Sequence, residues 1–195
     1  MADKKWNEVI AYTMLDLPSL IPMIMAVSLC LSILLFHGLT GVPPVPSSSA
    51  EIADVVELLR NADLPKRAII YELGSGWGSM AIALARAFPD AEIRGIEISP
   101  APYLLSKLRV RRFENVTIRW GNFFDHDVSD ADAVTCYLMI KPMPKVSSFL
   151  DHMLKDGTPV VSLTFWFRDR RVDASREGPG LRGGAALYYW PARKV

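Results

Sequence analysis

The chain has almost no net charge. In 195 residues, 22 Lys and Arg stand against 21 Asp and Glu, a formal charge of +1. A domain built to grip nucleic acid is usually strongly basic, so the overall charge makes no case for one. Cysteine is scarce as well, with only Cys30 and Cys136. The first lies in an apolar stretch and the second in a β-like run, which favours two buried thiols in a reducing compartment over a disulfide. His37, His126 and His152 show no ligand spacing and neither cysteine has a partner nearby, so no metal site is expected. Serine-nucleophile motifs, internal repeats and low-complexity tracts are missing too. Disorder is excluded by a composition that is 50% hydrophobic and only 22% charged.

What is present is unevenly spread. The mean hydropathy of +0.18 is high for so charged a chain, and one stretch raises it. From Leu17 to Phe36 no residue is charged and most are apolar. A helix of that length spans about 30 Å, the thickness of a bilayer core. Pro18 and Pro22 fall in its first turns, where missing N–H groups matter least. The expectation is a membrane-anchor helix over about 17–39. A single span is the first reading, and an interfacial or re-entrant helix or a buried core helix are the alternatives. Glu8, Asp16 and the lack of a small-residue cleavage site after Phe36 argue against a signal peptide. Gly41-Val42-Pro43-Pro44-Val45-Pro46 reads as a stiff connector. Residues 1–41 therefore form an N-terminal segment, and 42–195 a domain large enough to bury its own core.

Within that domain the pattern alternates. Ser48 and Glu51 make a capping box ahead of Ile52, Val55, Val56 and Leu59 at helical spacing. Strand-like runs at Ala68–Leu73, Glu92–Ile98, Val116–Trp120, Asp132–Leu138 and Thr158–Phe167 alternate with helical ones. The helical runs are Trp77–Phe88, Pro100–Phe113 and Val146–Leu154. Such alternation predicts an α/β, Rossmann-like doubly wound, mostly parallel sheet with helices on both faces. Arg168 to Gly184 is Gly- and Arg-rich without periodicity, and Ala185–Trp190 reads as a last, antiparallel strand. So short a tail predicts a C-terminal edge that is truncated and carries no substrate-capping domain.

The informative segment is Glu72-Leu73-Gly74-Ser75-Gly76-Trp77-Gly78, between the first strand and its helix. Glycines there admit close backbone approach, and a helix N-terminus presents N–H groups to an anion. Glu97, ending the second strand, stands where a carboxylate accepts from ribose hydroxyls. A nucleotide-binding βαβ unit follows. A dinucleotide site wants G-x-G-x-x-G, but here the spacing is G-x-G-x-G and Ser79 holds the third-Gly position. An acidic residue two before the loop suits an ammonium better than a pyrophosphate. S-adenosylmethionine carries that ammonium, a carboxylate for the helix N-terminus, and a ribose for Glu97. The methyltransferase reading therefore outweighs the dehydrogenase one and a ligand-free turn.

ELGSGWG followed by GIEISP resembles the class I, seven-β-strand methyltransferases. VPPVPSSSAEI, CYLMIKPMPKVSSFLDHML, DGTPVVSLTFWF and ALYYW narrow the resemblance. In combination with the apolar N-terminal segment, they resemble the small membrane-anchored protein-lysine methyltransferases of mitochondrial carrier and ATP-synthase c-subunit lysines, and their prokaryotic relatives. Trp77, Gly78 and Ser79 stand where that family usually has Asp, Gly and Arg, and Asn122 where it often has Asp. The departures bear on the substrate more than on the cofactor.

Candidate roles follow. Glu72 would accept from the cofactor's ammonium; the alternative is a solvated strand end. Gly74, Gly76 and Gly78 shape the loop, with Ser75 and Trp77 offering backbone contacts, and Glu97 takes the ribose. Asn122 would accept from adenine N6, Phe123 would offer its backbone N–H or simply pack, and Ile98 would lie on the adenine face or in the core. Tyr137 is the candidate for positioning an amine, against a packed sheet-end tyrosine. Lys141 would contact the cofactor or an acidic substrate, or, more simply, is solvated. The fourth strand's end carries no N-P-P-Y-type tetrad, which counts against adenine or glutamine-amide methylation. Lys107, Arg109, Arg111, Arg112 and Arg119 form a basic cluster that is either a solvated face or a contact for anionic headgroups.

The resulting expectation is a membrane-tethered S-adenosylmethionine-dependent methyltransferase acting on a lysine of a membrane protein. A lipid-amine methyltransferase and a non-catalytic binding module are the alternatives. Lys4 and Lys5 alone precede the apolar segment and no Lys or Arg follows before Lys66. That bias would put the N-terminus in the cytoplasm, whereas the cofactor requires the catalytic domain on the cytoplasmic or matrix-equivalent side. A re-entrant or interfacial helix satisfies both, and so does a span oriented against a bias of two lysines diluted by Asp3, Glu8 and Asp16.

Overall fold

A computed structural model of the chain describes residues 17–40, 48–177 and 183–192. The connector Gly41–Pro46, the charged residues before Leu17, and Arg182, Arg193 and Lys194 lie outside these, as does the expected boundary at 41/42. Among the described residues five helices, α1 (Leu17–Thr40), α2 (Ser49–Arg60), α3 (Ser79–Ala87), α4 (Pro100–Val110) and α5 (Met143–Met153), accompany seven strands. The strands are β1 (Ile69–Leu73), β2 (Glu92–Glu97), β3 (Val116–Trp120), β4 (Ala133–Cys136), β5 (Thr158–Leu163), β6 (Ala174–Arg176) and β7 (Ala185–Trp190). They form one sheet in the order β3-β2-β1-β4-β5-β7-β6. The first five pair in parallel, while β7 runs antiparallel to both β5 and β6.

The alternation of side chains along each strand makes two cores. Ile70, Ile93, Val161 and Leu187 meet Leu59 of α2, Leu84 of α3 and Val110 of α4 on one face. Tyr71, Leu73, Ile96, Val160 and Tyr188 meet Val146 and Leu150 of α5 on the other. A sheet buried on both faces needs runs without polar interruption, and β4 and β5 are buried throughout. The capping box at α2 forms as expected, with Ser48 N–H donating to Glu51 and Glu51 N–H to Ser48 Oγ.

Several boundaries differ from the sequence expectation: β4 ends at Cys136 and α4 at Val110, and two further ends move for reasons the backbone shows. The fifth strand stops at Leu163, because Thr164 takes a left-handed φ of 67° and turns the chain out of the sheet. Helix α5 starts at Met143, since Pro142 serves as its N-cap and Pro144 sits where no intrahelical N–H is needed. The truncated edge is corrected in kind: the sheet has its seven strands, β6 being three exposed residues inside the stretch that lacked periodicity. What is shortened is that strand and its connection, where no helix lies among the described residues.

The N-terminal helix differs most. Helix α1 forms over 24 residues with Pro22 inside it. Yet among the described residues no helix is long and apolar enough to cross a membrane, so the expected single span is not a feature of this fold. Its described side chains from Ile21 to Leu31 are exposed. That overturns a buried core helix and also the expected burial of Cys30, while Cys136 is buried. Helix α1 packs against α4.

The C-terminal edge is locked by Arg170, whose side chain is 3% exposed. Its guanidinium donates to Asp151 at 2.5 Å, to Ser147 and to the Ala192 carbonyl, and lies 4.8 Å from the Trp190 ring centroid. Removing the buried guanidinium leaves Asp151 and the Ala192 carbonyl without their donor and opens a hole against Trp190. Arg170→Ala should therefore cost about 3 kcal/mol in denaturant titration, with α5 and β7 losing amide protection first.

Candidate functional site

Strand β1 runs into a loop fixed largely by its own backbone. The Gly74 and Ser75 N–H groups both donate to the Ile96 carbonyl, and Gly78 N–H donates to Ser75 O at 2.8 Å. Gly78 has a φ of 78°, and a Cβ there would lie 2.9 Å from Ser106 Cβ, so the start of α3 can rest on α4 only as glycine. Gly76 differs. Its φ is 50°, but a Cβ would meet nothing within 4 Å, because it fronts open space at the carboxyl ends of the strands. In open α/β sheets that is where ligands sit.

Two buried carboxylates frame this space. Glu97 ends β2 at 6% exposure, and its oxygens accept from Gly76 N–H at 2.8 Å and Ser99 N–H at 2.7 Å. It staples the glycine loop to the start of α4, a role its position in sequence did not announce. A carboxylate has about four acceptor sites, so capacity for a ribose remains. Glu72, also 6% exposed, leaves one oxygen, Oε2, buried and without a partner. Burial, and then the charge of Glu97, hold its carboxyl well above the usual carboxylate range, and the Ala81 amide in the first turn of α3 pulls only partly the other way. The alternative of a solvated strand end is thereby overturned. Ser75 Oγ is a second buried atom without a partner beside the same loop.

The remaining candidates separate. Asn122 caps the 3-10 turn Phe123–Asp125, its Oδ1 accepting from Phe124 N–H at 3.3 Å. The neighbouring Gly121 N–H donates to Glu97 O, which fixes that turn to the end of β2. Phe123 packs, with its ring centroid 4.3 Å from Phe124 and 6.1 Å from Phe149. Ile98 is half-buried just beyond β2, and its carbonyl accepts from Trp120 Nε1. Trp77 is half-buried and its carbonyl accepts from Arg109 Nη1 at 2.6 Å. Tyr137 lies one residue past β4, half-buried against the core that carries α2, α3 and α4. Lys141 is exposed in the turn before α5. Three contributions to the loop are not announced by the sequence: Ser106 and Leu138 abut Gly78 and Gly74, and Arg109, legible only as part of a basic cluster, holds the loop from 32 residues away. Long-range packing leaves no local signal. No cluster of three potential metal ligands occurs among the described residues.

With this geometry in view, comparison with known proteins is decisive. Residues 72–174 match the family model of the ANTKMT methyltransferase domain. The chain belongs to that family. A protein-lysine N-methyltransferase of Saccharolobus islandicus is 30% identical over 130 residues, 65% of this chain and 79% of that protein. A release factor glutamine methyltransferase of Geobacter sulfurreducens is 34% identical, but this match spans only 28% of that longer protein. Among solved structures, an RNA methyltransferase from Salinibacter ruber in complex with S-adenosyl-L-homocysteine superposes with a TM-score of 0.67. It is 29% identical, over 74% of this chain and 93% of that one. The protein is thus a class I S-adenosylmethionine-dependent methyltransferase with a Rossmann-like, mostly parallel seven-stranded sheet.

The methyltransferase should carry its unpaired carboxyl as a measurable strain. Because the folded Glu72 value lies above its ordinary 4.5, its contribution to stability is complete below that value and is lost as pH rises through the raised one. Glu72→Gln should therefore raise the melting temperature of the ligand-free protein at neutral pH and leave it unchanged at pH below about 4.5. Equal destabilisation at both pH values would show that Glu72 is already paired.

Proposed function

We propose that this methyltransferase N-methylates a lysine of a protein held at a membrane, with its catalytic domain, residues 42–195, on the cytoplasmic or matrix-equivalent side. The observation that carries the cofactor site is the buried, unpartnered Glu72 oxygen beside open space at Gly76. Leaving such an oxygen unpaired costs on the order of 1–3 kcal/mol, and a cationic ligand removes that cost. Glu72 would hold the ammonium, and Ser75 with the first amides of α3 the carboxylate. Glu97 would hold the ribose, and Asn122, the Phe123 backbone and Ile98 the adenine.

When bound, S-adenosylmethionine supplies an electrophilic methyl on a positively charged sulfur. The chain's part is alignment and exclusion of water. Tyr137, at the switch-point end of β4, positions the amine, and desolvation in the crevice favours the neutral, nucleophilic form of a lysine. The lysine assignment is supported by the archaeal protein-lysine relative. A glutamine acceptor is disfavoured because Tyr137-Leu138-Met139 replaces any N-P-P-Y tetrad. The membrane is supported by exposed Ile21, Met23, Ile24, Met25, Val27, Leu29, Leu31 and Leu34 on α1. These side chains lie all round an uncharged helix, an apolar surface that lipid would cover and that the described fold leaves exposed.

Incubation with methyl-labelled cofactor and membranes should place label in methyl-lysine after acid hydrolysis. Label in the organic extract would instead make the acceptor a lipid amine, and nuclease-sensitive label an RNA. Retained cofactor binding without any transfer would leave a binding module. Glu97→Ala should weaken cofactor binding roughly 10-fold or more.

A further inference from the structure

The outer side of the α3–α4 layer carries a feature the catalytic site does not use. A groove of about 410 Å³ is lined by Arg86, Arg109, Arg111, Arg112, Ile82 and Leu108. Four guanidiniums around one cavity repel each other, and none of them pairs with a described carboxylate. Three of them are nevertheless held in place. Arg86 and Arg112 each lie with Cζ 5.6 Å from the Phe113 ring centroid. Arg109 donates to the Trp77 carbonyl and to Ser79 Oγ. Guanidiniums fixed in this way are ordered for a planar, multidentate anion such as phosphate.

The same helix is apolar one turn earlier. Leu104, Leu105 and Leu108 are 64%, 42% and 54% exposed. Leu104 stands one turn before Leu108, which is followed by Arg111, and Leu105 stands one turn before Arg109, which is followed by Arg112. The exposed leucines of α4 thus lead into Arg109 in its last turn and into Arg111 and Arg112 just past its end. Helix α1, with its exposed apolar side chains, packs against this helix. Basic residues beside exposed leucines are the composition of an interfacial surface, in which charge meets headgroups and aliphatic groups enter the acyl boundary. A nucleic-acid backbone would answer the arginines but leave the leucines and α1 in water.

We infer that the α3–α4 groove docks on an anionic phospholipid bilayer, with a lipid phosphate among Arg86, Arg109, Arg111 and Arg112 and with Leu104, Leu105 and Leu108 in the acyl boundary. This rests on the membrane-surface part of the proposed function and not on the acceptor. The contact is additional to α1 and fixes the rotation of the sheet on the membrane. Because Arg109 also holds the Trp77 carbonyl, the docked face adjoins the cofactor loop.

The test is flotation of the full chain with phosphatidylcholine vesicles, with and without phosphatidylglycerol. Helix α1 contributes to both, so the preference for anionic vesicles isolates the arginines. Arg109 is left intact for its bond to the loop, and the variant Arg86→Gln/Arg111→Gln/Arg112→Gln is compared with the same three positions changed to Lys. The glutamine variant should lose the anionic preference by on the order of 100-fold at low salt, the lysine variant should keep most of it, and wild-type preference should collapse as salt rises. Unchanged cofactor binding confirms the fold of each variant. Anionic preference equal in wild type and the glutamine variant would overturn the inference while leaving the membrane reading intact. Wild type that floats with neither vesicle would overturn the membrane reading itself. Arginine-dependent binding of an RNA oligonucleotide without vesicle preference would assign the groove to RNA instead.

Discussion

Two carboxylates buried at the ends of neighbouring strands hold the site in tension. Glu72 and Glu97 are both almost sealed from solvent and repel each other across the glycine loop. Glu97 resolves its share by accepting from Gly76 and Ser99, and in doing so it fixes the loop and the start of α4. Glu72 has only the Ala81 amide, and its Oε2 stays buried without a partner. The parallel register of β1 with β2 brings the two groups together, and burial on both faces keeps water from separating them. The cofactor of this family carries a positive sulfur and an ammonium, so its charge complements a pair that is costly when empty.

Much of this is legible in residue order, for definite reasons. Periodicity and the glycine motif are local signals, so the alternation of β1 to β5 with α3, α4 and α5, the antiparallel β7, and the pairing of Glu72 with Glu97 around the loop can all be read. The Ser48–Glu51 box forms because capping needs only neighbours three residues apart. Contacts between distant segments leave no such signal. Neither Ser106 beneath Gly78 nor Arg109 on the Trp77 carbonyl can be inferred from spacing, because each depends on how α3 crosses α4. Strand β6 escapes a sequence reading because three exposed residues carry no hydrophobic pattern. The apolar N-terminal stretch reads as a span from length alone, yet its structure shows a helix with Pro22 inside it and not suited to cross a bilayer among the described residues.

The arginines illustrate how net charge misleads. A chain near neutrality nonetheless concentrates Arg86, Arg109, Arg111 and Arg112 around one groove, while the ion pairs among the described residues form elsewhere, on Lys66, Arg94, Arg170 and Arg176. Those ion pairs fasten other parts of the sheet: Arg94 joins β2 to Asp130 before β4, and Arg176 joins β6 to Asp54 of α2. Segregating paired charge there from unpaired charge on α3 and α4 leaves one face able to meet an anionic surface while the strand ends stay open to the cofactor.

The most direct test of the Glu72 site is calorimetric titration of S-adenosylmethionine across pH in buffers of different ionisation enthalpy. If the unpaired carboxyl receives the ammonium, binding releases a proton below the raised Glu72 value, affinity falls as pH drops through that value, and Glu72→Gln abolishes both effects. Proton release and affinity that are the same in wild type and Glu72→Gln would contradict it.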